Sequence, residues 1–229
     1  MTVRMFATSA ALAVAIVTFA APARAQVLKS GIADLNALPE ATLTTMPGMT
    51  PAIAKAFVDQ RPFASIVEAN AFLVGQKLTP DQLTALYEKA FVHVNLHAPT
   101  NEQILLIPKI GQSPQIARTL TTEFVGYGPW KTVAQFDREF GKYVDDDGRV
   151  SLVVSPAETN RLKQYMFIPL NLNTATDEQF LTIPNMAQRM LIEFKEYRPW
   201  KTKEQFDREI GKYVGPKETA RLWRFMVIE

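Results

Sequence analysis

The sixteen residues PWKTKEQFDREIGKYV, at 199–214, repeat a stretch that the chain already contains at 129–144, PWKTVAQFDREFGKYV. Only three of the sixteen positions differ between the two copies. An enzyme does not need its active site twice in one chain, whereas small structural and binding modules are commonly duplicated. The repetition therefore predicts a chain of similar modules and argues against a single catalytic domain.

The repeat continues upstream of the duplicated stretch. NLNTATDEQFLTIP (171–184) matches NLHAPTNEQILLIP (95–108) and, more faintly, DLNALPEATLTTMP (34–47). Further along, each copy carries an aromatic residue after a proline and then a turn before its last helix. These matches predict three modules, at 34–93, 95–169 and 171–229.

The middle module is sixteen residues longer than the third: six of these lie before Pro129, and ten form an insertion at 145–154, DDDGRVSLVV. We interpret DDDG as a solvated turn that joins two short strands into a small hairpin. The acidic triplet lacks the ligand spacing and the closing glutamate of a calcium-binding loop, so we do not predict a calcium site.

The signals within a module are those of helices. Thr100 with Gln103, and Thr176 with Gln179, are spaced as capping boxes that open a short helix. In the third module, apolar residues at spacings of three and four predict three further helices, near 190–197, near 202–210 and from Pro216. The third of the four helices is expected to bury Phe206 and Ile210. The apolar residues that the second and fourth carry on one face are Met190, Leu191, Phe194, Tyr197, Leu222, Trp223 and Met226. The predicted fold class is all-α, with two helical hairpins in each module.

Trp130 and Trp200 occupy the same position in the duplicated stretch, and Phe63 matches them in the first module. An aromatic residue that follows a proline after an amphipathic helix typically fills the core of a small domain. We predict that role here; the alternative is that these rings stack on nucleic-acid bases.

The N-terminus has the pattern of a cleavable secretory signal peptide. Arg4 precedes the apolar run at 5–21, and Ala23 and Ala25 form a small-residue cleavage site. We expect cleavage after Ala25, which makes 1–25 a signal peptide and the protein periplasmic or secreted.

Charge and cysteine content narrow the functional classes. The chain has 25 basic and 23 acidic residues, and loss of Arg4 and Arg24 with the signal peptide leaves 23 of each. Nucleic-acid-binding proteins usually present an excess of basic residues, so a neutral mature chain argues against DNA binding. There is no cysteine, which excludes disulfides, thiolate metal sites and a lipid-anchoring cysteine.

The stretch NLNTAT followed by EQFLTIPNM, within 171–187, resembles the helix-hairpin-helix domain of bacterial competence DNA receptors (ComEA-type). MPGMTPAIAKAFVDQRPF, at 46–63, is similar to the extrinsic subunit U of cyanobacterial photosystem II. Both resemblances imply a double helix-hairpin-helix fold. The first implies binding to duplex DNA phosphates without sequence preference, and the second implies a protein-binding cap.

In the DNA-binding members of the family that this chain resembles, the hairpin has a sequence like P-G-I-G. Its glycines let the backbone N–H groups approach a phosphate. The corresponding hairpins here are PGMT (47–50), PKIG (108–111) and PNMA (184–187), so none retains both glycines. If DNA is bound, Lys109 and its neighbours are the strongest candidates. The candidate contacts for DNA or a protein partner are Pro47, Gly48, Thr50, Lys109, Gly111, Gln112, Arg118, Asn185, Ala187, Gly215 and Lys217.

The sequence offers no other site of comparable weight. His93 and His97 are the only histidines and lack a matching set of carboxylates, so we predict no metal site, no cofactor and no catalytic residue. The leading hypothesis is a non-catalytic scaffold that contacts protein partners in the periplasm. The alternative is a periplasmic DNA-binding protein of the competence type.

Overall fold

The computed structural model of the protein describes residues 31–110, 114–140, 142–144, 150–152 and 154–229. The predicted signal peptide with its cleavage site, and the acidic turn DDDG, lie outside these residues. The described chain is mostly helical, as predicted, but it also contains short strands that an all-α assignment omits. Among the described helices, none combines the length and the apolar character needed to cross a membrane.

The helices and strands fall into three successive stretches, each of which starts and ends with a short strand. We call residues 31–93, 94–169 and 170–229 the first, second and third units. The first unit contains β1 (Ala33–Asp34), α1 (Glu40–Leu43), α2 (Pro51–Gln60), α3 (Ile66–Gly75), α4 (Pro80–Tyr87) and β2 (Ala90–Phe91). The second contains β3 (Val94–Asn95), α5 (Asn101–Leu105), α6 (Pro114–Gly126), α7 (Val133–Glu139), β4 (Lys142–Val144), β5 (Val150–Leu152), α8 (Pro156–Leu162), a 3-10 turn (Lys163–Tyr165) and β6 (Met166–Phe167). The third contains β7 (Leu170–Asn171), α9 (Asp177–Phe180), α10 (Met190–Glu196), α11 (Lys203–Trp223) and β8 (Met226–Val227).

A pair of parallel two-residue strands closes each unit. β1 pairs with β2, β3 with β6, and β7 with β8, so the first and last residues of a unit are held side by side. The same backbone bond recurs in the three pairs: the N–H groups of Leu35, Leu96 and Leu172 donate to the carbonyls of Phe91, Phe167 and Val227. Strands this short are not stable alone, so helix packing must bring them together.

The fourth strand pair belongs to the second unit alone. β4 and β5 are antiparallel, with Val144 opposite Val150 and Lys142 opposite Leu152, on either side of the acidic stretch. This is the arrangement expected of two strands joined by a short connection.

Side chains that cap helix N-termini explain where the helices begin. Thr79, Thr100 and Thr176 each form a complete capping box with the glutamine three residues later. The two boxes predicted at Thr100 and Thr176 are therefore confirmed. Each box satisfies two backbone N–H groups that a helix start would otherwise leave unpaired.

The repeated tryptophans fill the cores, as predicted. Trp130 and Trp200 are fully buried and Phe63 is 4% exposed. Each indole N–H donates to a backbone carbonyl in the helix that precedes it: Trp130 donates to Phe124 at 3.0 Å, and Trp200 donates to Phe194 at 2.8 Å. Burial with a satisfied N–H excludes these rings from stacking on bases in this arrangement.

The end of the third unit differs from the prediction in one residue. α11 is interrupted at Gly215, where φ is 75° and ψ is 169°, so the predicted third and fourth helices follow one another across a kink. Phe206, Ile210 and Leu222 are buried as expected. Met226 is also buried but lies in β8, so its assignment to the last helix was wrong: the helix ends at Trp223 and pairing with β7 takes over.

The buried apolar residues form two clusters. One extends through the first and second units, where Phe91 lies edge-on between Tyr87 and Tyr165. The other belongs to the third unit and includes Phe167, whose ring is 4.6 Å from that of Phe225. Within the described residues, the first and third units therefore share no apolar cluster, and their contact depends on polar groups.

Candidate functional site

The first hairpin of each unit has the same backbone conformation. Gly48, Lys109 and Asn185 follow the hairpin proline and have φ values of 73°, 73° and 56°. Glycine adopts this left-handed region without strain and asparagine tolerates it, whereas other residues lose about 1–2 kcal/mol of conformational energy there. The turn is thus maintained in all three units although only the first has glycine at this position.

The hairpin of the first unit packs within its own unit. A side chain at Gly48 would approach Leu78 and Gln82 to 3.1 Å, so only glycine fits closely. Thr50 begins α2 by accepting a hydrogen bond from the Ile53 N–H at 3.3 Å, and Pro47 is half-buried. The helix start is therefore capped by a hydroxyl of the chain itself.

The hairpin of the second unit lies against the first unit. Lys109 is 59% exposed, and its ammonium group is 3.8 Å from a carboxylate oxygen of Glu88 on the first unit. The pKa of Glu158 is lowered mainly by its hydrogen bond to Arg161, and Lys109 adds to that effect. Lys109 therefore lies near two acids, Glu88 and Glu158. Arg118 is exposed on α6, and Gly111 and Gln112 lie outside the described residues.

Both hairpins of the third unit face the first unit. Asn185 donates from its side-chain amide to the Ala37 carbonyl at 2.5 Å. Just after the kink at Gly215, Lys217 donates to the Asp59 carbonyl, also at 2.5 Å. Ala187 is exposed and makes a local backbone contact, accepting from the Met190 N–H at 2.8 Å.

Arg224, the residue that follows α11, completes this contact, and the sequence analysis did not identify it. Arg224 donates to the carbonyls of Ala64, at 3.2 Å, and of His93, at 3.1 Å. Arg221 is 4% exposed and donates to the Pro184 carbonyl of its own unit at 2.7 Å. Lys217, Arg221 and Arg224 are spaced by four and three residues, which places them on one helix face; that spacing was the available sequence signal.

A buried contact between a carboxylate and an imidazole lies beneath this surface of the first unit. The carboxylate of Asp34 is 3.4 Å from Nδ1 of His93, and both side chains are almost fully buried. Burial opposes the ionisation of Asp34. The contact with His93, the charge of Arg224 and the Asn36 N–H outweigh burial, so the pKa of that carboxyl is below its ordinary value.

The histidines differ in their surroundings. His93 is buried against Asp34, whereas His97 is half-buried and burial lowers its pKa. Among the described residues, no three histidine, aspartate or glutamate side chains are placed to bind one metal ion.

Arg61 of the first unit faces the same contact. Its Nη1 donates to the Leu38 carbonyl at 2.5 Å, and its guanidinium group lies 5.3 Å from the centre of the Phe57 ring. Burial lowers the pKa of Arg61 to about 10; Asp34 opposes the change and Arg221 adds to it. We call this contact the seam: Arg61 and the carbonyls of Ala37, Asp59, Ala64 and His93 on one side, Asn185, Lys217, Arg221 and Arg224 on the other.

No family model, curated protein or solved structure matches this chain.

Proposed function

We propose that this protein is a non-catalytic scaffold of the periplasm, which uses tandem helix-hairpin-helix modules to contact protein partners. The observation that carries the proposal is that hairpin residues of the third unit already bind protein. Asn185 and Lys217 donate to backbone carbonyls of the first unit, over sequence separations of 148 and 158 residues.

The local geometry supports the helix-hairpin-helix assignment. In each unit a short helix is followed by a turn with a left-handed residue after a proline and then by a second helix. The second turn of the first unit is left-handed at Lys77 and leads into α4 through the capping box at Thr79. A pair of helical hairpins per unit accounts for these features.

The electrostatics favour protein partners over DNA. Each phosphate contact of a DNA-binding protein replaces a counterion with a basic side chain, so affinity depends on a local excess of positive charge. Lys109, the strongest candidate for such a contact, is offset by Glu88 and lies near Glu158. Of the other candidates, Asn185 and Lys217 are already engaged within the chain.

DNA binding is tested with residues 26–229 and a fluorescent duplex, measured by anisotropy at several salt concentrations. For a protein scaffold we expect weak binding, with a log–log salt slope no steeper than about −2 to −4. The variants are Lys109→Glu and, as a matched control, Lys201→Glu. Tight binding that Lys109→Glu abolishes and Lys201→Glu preserves would overturn the scaffold in favour of the competence-type alternative.

Export is tested by the intact mass of the protein recovered from the periplasm. We expect a chain that begins at Gln26. A chain retaining Met1 in the membrane fraction would contradict both the signal peptide and the proposed location.

A further inference from the structure

A groove lies between the first and second units. One face of α4 forms one side of it, with Pro80, Leu83, Thr84 and Tyr87, and residues 105–109 of the second unit form the other side. The groove has a volume of about 270 Å³, close to the lower limit of the roughly 300–1,000 Å³ that small-molecule sites enclose. Its size therefore suits a small ligand.

Apolar groups make up most of the lining of this groove. Leu83 and Tyr87 are buried, and the Tyr87 hydroxyl is already satisfied, because it donates to the Asn70 side chain at 2.8 Å. On the opposite side Leu105 is 47% exposed. Covering an apolar side chain in a concave surface removes it from water, so the groove favours an apolar group as its occupant.

Lys109 belongs to the same lining and has a strained backbone. Its φ is 73°, a value that glycine adopts more easily than lysine. A residue held in such a conformation is a reason to look for a role of its side chain. Asn185, at the same turn position in the third unit, uses its side chain to donate to the Ala37 carbonyl. By the same reasoning, the Lys109 ammonium group is the functional part of this residue.

The ammonium group of Lys109 is not firmly held by the acids near it. Its distance to the Glu88 carboxylate is 3.8 Å, which is too long for a hydrogen bond, and both side chains are about half-exposed. Such exposed ion pairs contribute little to stability, so another carboxylate can replace Glu88 at small cost. Glu158 is engaged elsewhere, since Arg161 donates to it at 2.8 Å and at 2.6 Å.

We propose that this groove binds a small amphiphile with one carboxylate group, whose apolar chain covers Leu105 and whose carboxylate accepts a hydrogen bond from Lys109. The apolar chain supplies most of the affinity, and the ammonium group selects for an acid and orients it. One carboxylate anchored by an apolar chain does not need the local excess of positive charge that DNA binding requires. The site is independent of the proposed function, because it involves neither a protein partner nor DNA.

The test is an NMR titration of isotopically labelled residues 26–229 with octanoate at constant ionic strength and pH. We expect saturable shifts of the backbone amide signals of Thr84, Leu105 and Lys109. Octanamide, which has the same chain without the charge, should bind about tenfold more weakly, since the charge-assisted hydrogen bond is lost. Butyrate should also bind more weakly, because its chain buries less apolar area.

Substitutions of Lys109 separate a role in binding from a role in folding. Lys109→Gly removes the ammonium group together with the backbone strain. It should therefore weaken octanoate binding about tenfold without lowering the thermal midpoint. Lys109→Arg keeps a cationic donor and should retain most of the affinity. If Lys109 has only a structural role, octanoate will bind Lys109→Gly as tightly as the wild type, and the proposed site is overturned.

Leu105 has a matched control in the third unit. Leu181 occupies the equivalent position and is 50% exposed, but it does not line this groove. Leu105→Ser should weaken octanoate binding about fivefold through lost apolar contact, and Leu181→Ser should leave it unchanged. Equal effects of the two substitutions, or equal affinities for octanoate and octanamide, would overturn the site. Tighter binding of a peptide with a C-terminal leucine would overturn it as well, because the groove would then belong to a protein partner.

Discussion

At the residue scale, the hairpin turns show how a backbone conformation is kept when the sequence changes. Gly48 has a φ of 73°, which a residue without a side chain adopts easily. Lys109 has the same φ although it carries a long side chain. The packing around the turn must hold Lys109 there against its own preference.

Substitutions at these two positions should therefore change the free energy of unfolding in opposite directions. Gly48→Ala should destabilise the protein by about 1–2 kcal/mol, because alanine resists this φ and its Cβ would crowd Leu78. Lys109→Gly should be neutral or stabilising by up to about 1 kcal/mol, since relief of the strain is partly offset by the entropy of glycine. Urea unfolding of both variants measures the difference, and a neutral Gly48→Ala would contradict this account.

The buried tryptophans support a second prediction at this scale. Trp200→Ala should destabilise the protein by about 3–5 kcal/mol, because it leaves a large cavity and an unpaired Phe194 carbonyl. Ile192, which is 63% exposed in the same unit, provides the control. Ile192→Ala should change the stability by about 0.5 kcal/mol or less in the same denaturation experiment. Similar losses in both variants would mean that Trp200 does not fill the core.

At the element scale, caps and kinks determine where helices begin and turn. The threonines at 79, 100 and 176 satisfy backbone N–H groups that no residue within the helix can reach. Gly215 has the opposite role, because its φ of 75° and ψ of 169° stop one helix and redirect the chain into the next. That redirection places Lys217 and Arg224 against the first unit.

A comparison of two glycines distinguishes the effect of backbone conformation on stability from the effect of side-chain crowding. A Cβ added at either Gly215 or Gly75 would meet no atom within 4 Å, but only Gly215 of this pair has a positive φ. Gly215→Ala should therefore cost about 1–3 kcal/mol. Gly75→Ala, at the end of α3, should stabilise by up to about 1 kcal/mol through helix propensity. Thermal unfolding compares them, and equal effects would show that the kink does not require glycine.

At the scale of the whole molecule, the units are joined in two different ways. The first and second share a hydrophobic cluster, whereas the first and third meet at the polar seam. Polar groups, rather than apolar area, therefore govern the contact of the third unit with the first, whereas Phe167 of the second unit packs into the apolar cluster of the third. Asp34 is central to this contact because it is acted on by His93 and Arg224.

Asp34 predicts a pH dependence of stability. Its pKa is lowered in the folded protein from an ordinary value of 3.8, so its contribution is present above that pH and is lost as the pH falls through the lower folded value. Asp34→Asn keeps the acceptor for the Asn36 N–H but cannot titrate. We expect the variant to be less stable at neutral pH and to lose less stability than the wild type below about pH 4. Parallel acid unfolding curves for the two proteins would rule out a role for this carboxylate.

Features that depend on neighbouring residues were determined by the sequence itself. The capping boxes at Thr100 and Thr176, the burial of Trp130 and Trp200, and the helix near 190–197 all follow from spacings of a few residues. Such signals are local because caps and apolar faces form within one or two helical turns.

Only the tertiary structure determined the seam, the parallel strand pairs and the conformation of Lys109. A strand of two residues is too short to show alternation of apolar and polar residues. Met226 was therefore assigned to the preceding helix and not to β8. Arg224 and Ala64, whose carbonyl it contacts, are 160 residues apart in the chain, and no local pattern connects them. Their proximity depends on how whole units pack, and packing fixes distances between residues whose sequence separation carries no information about them.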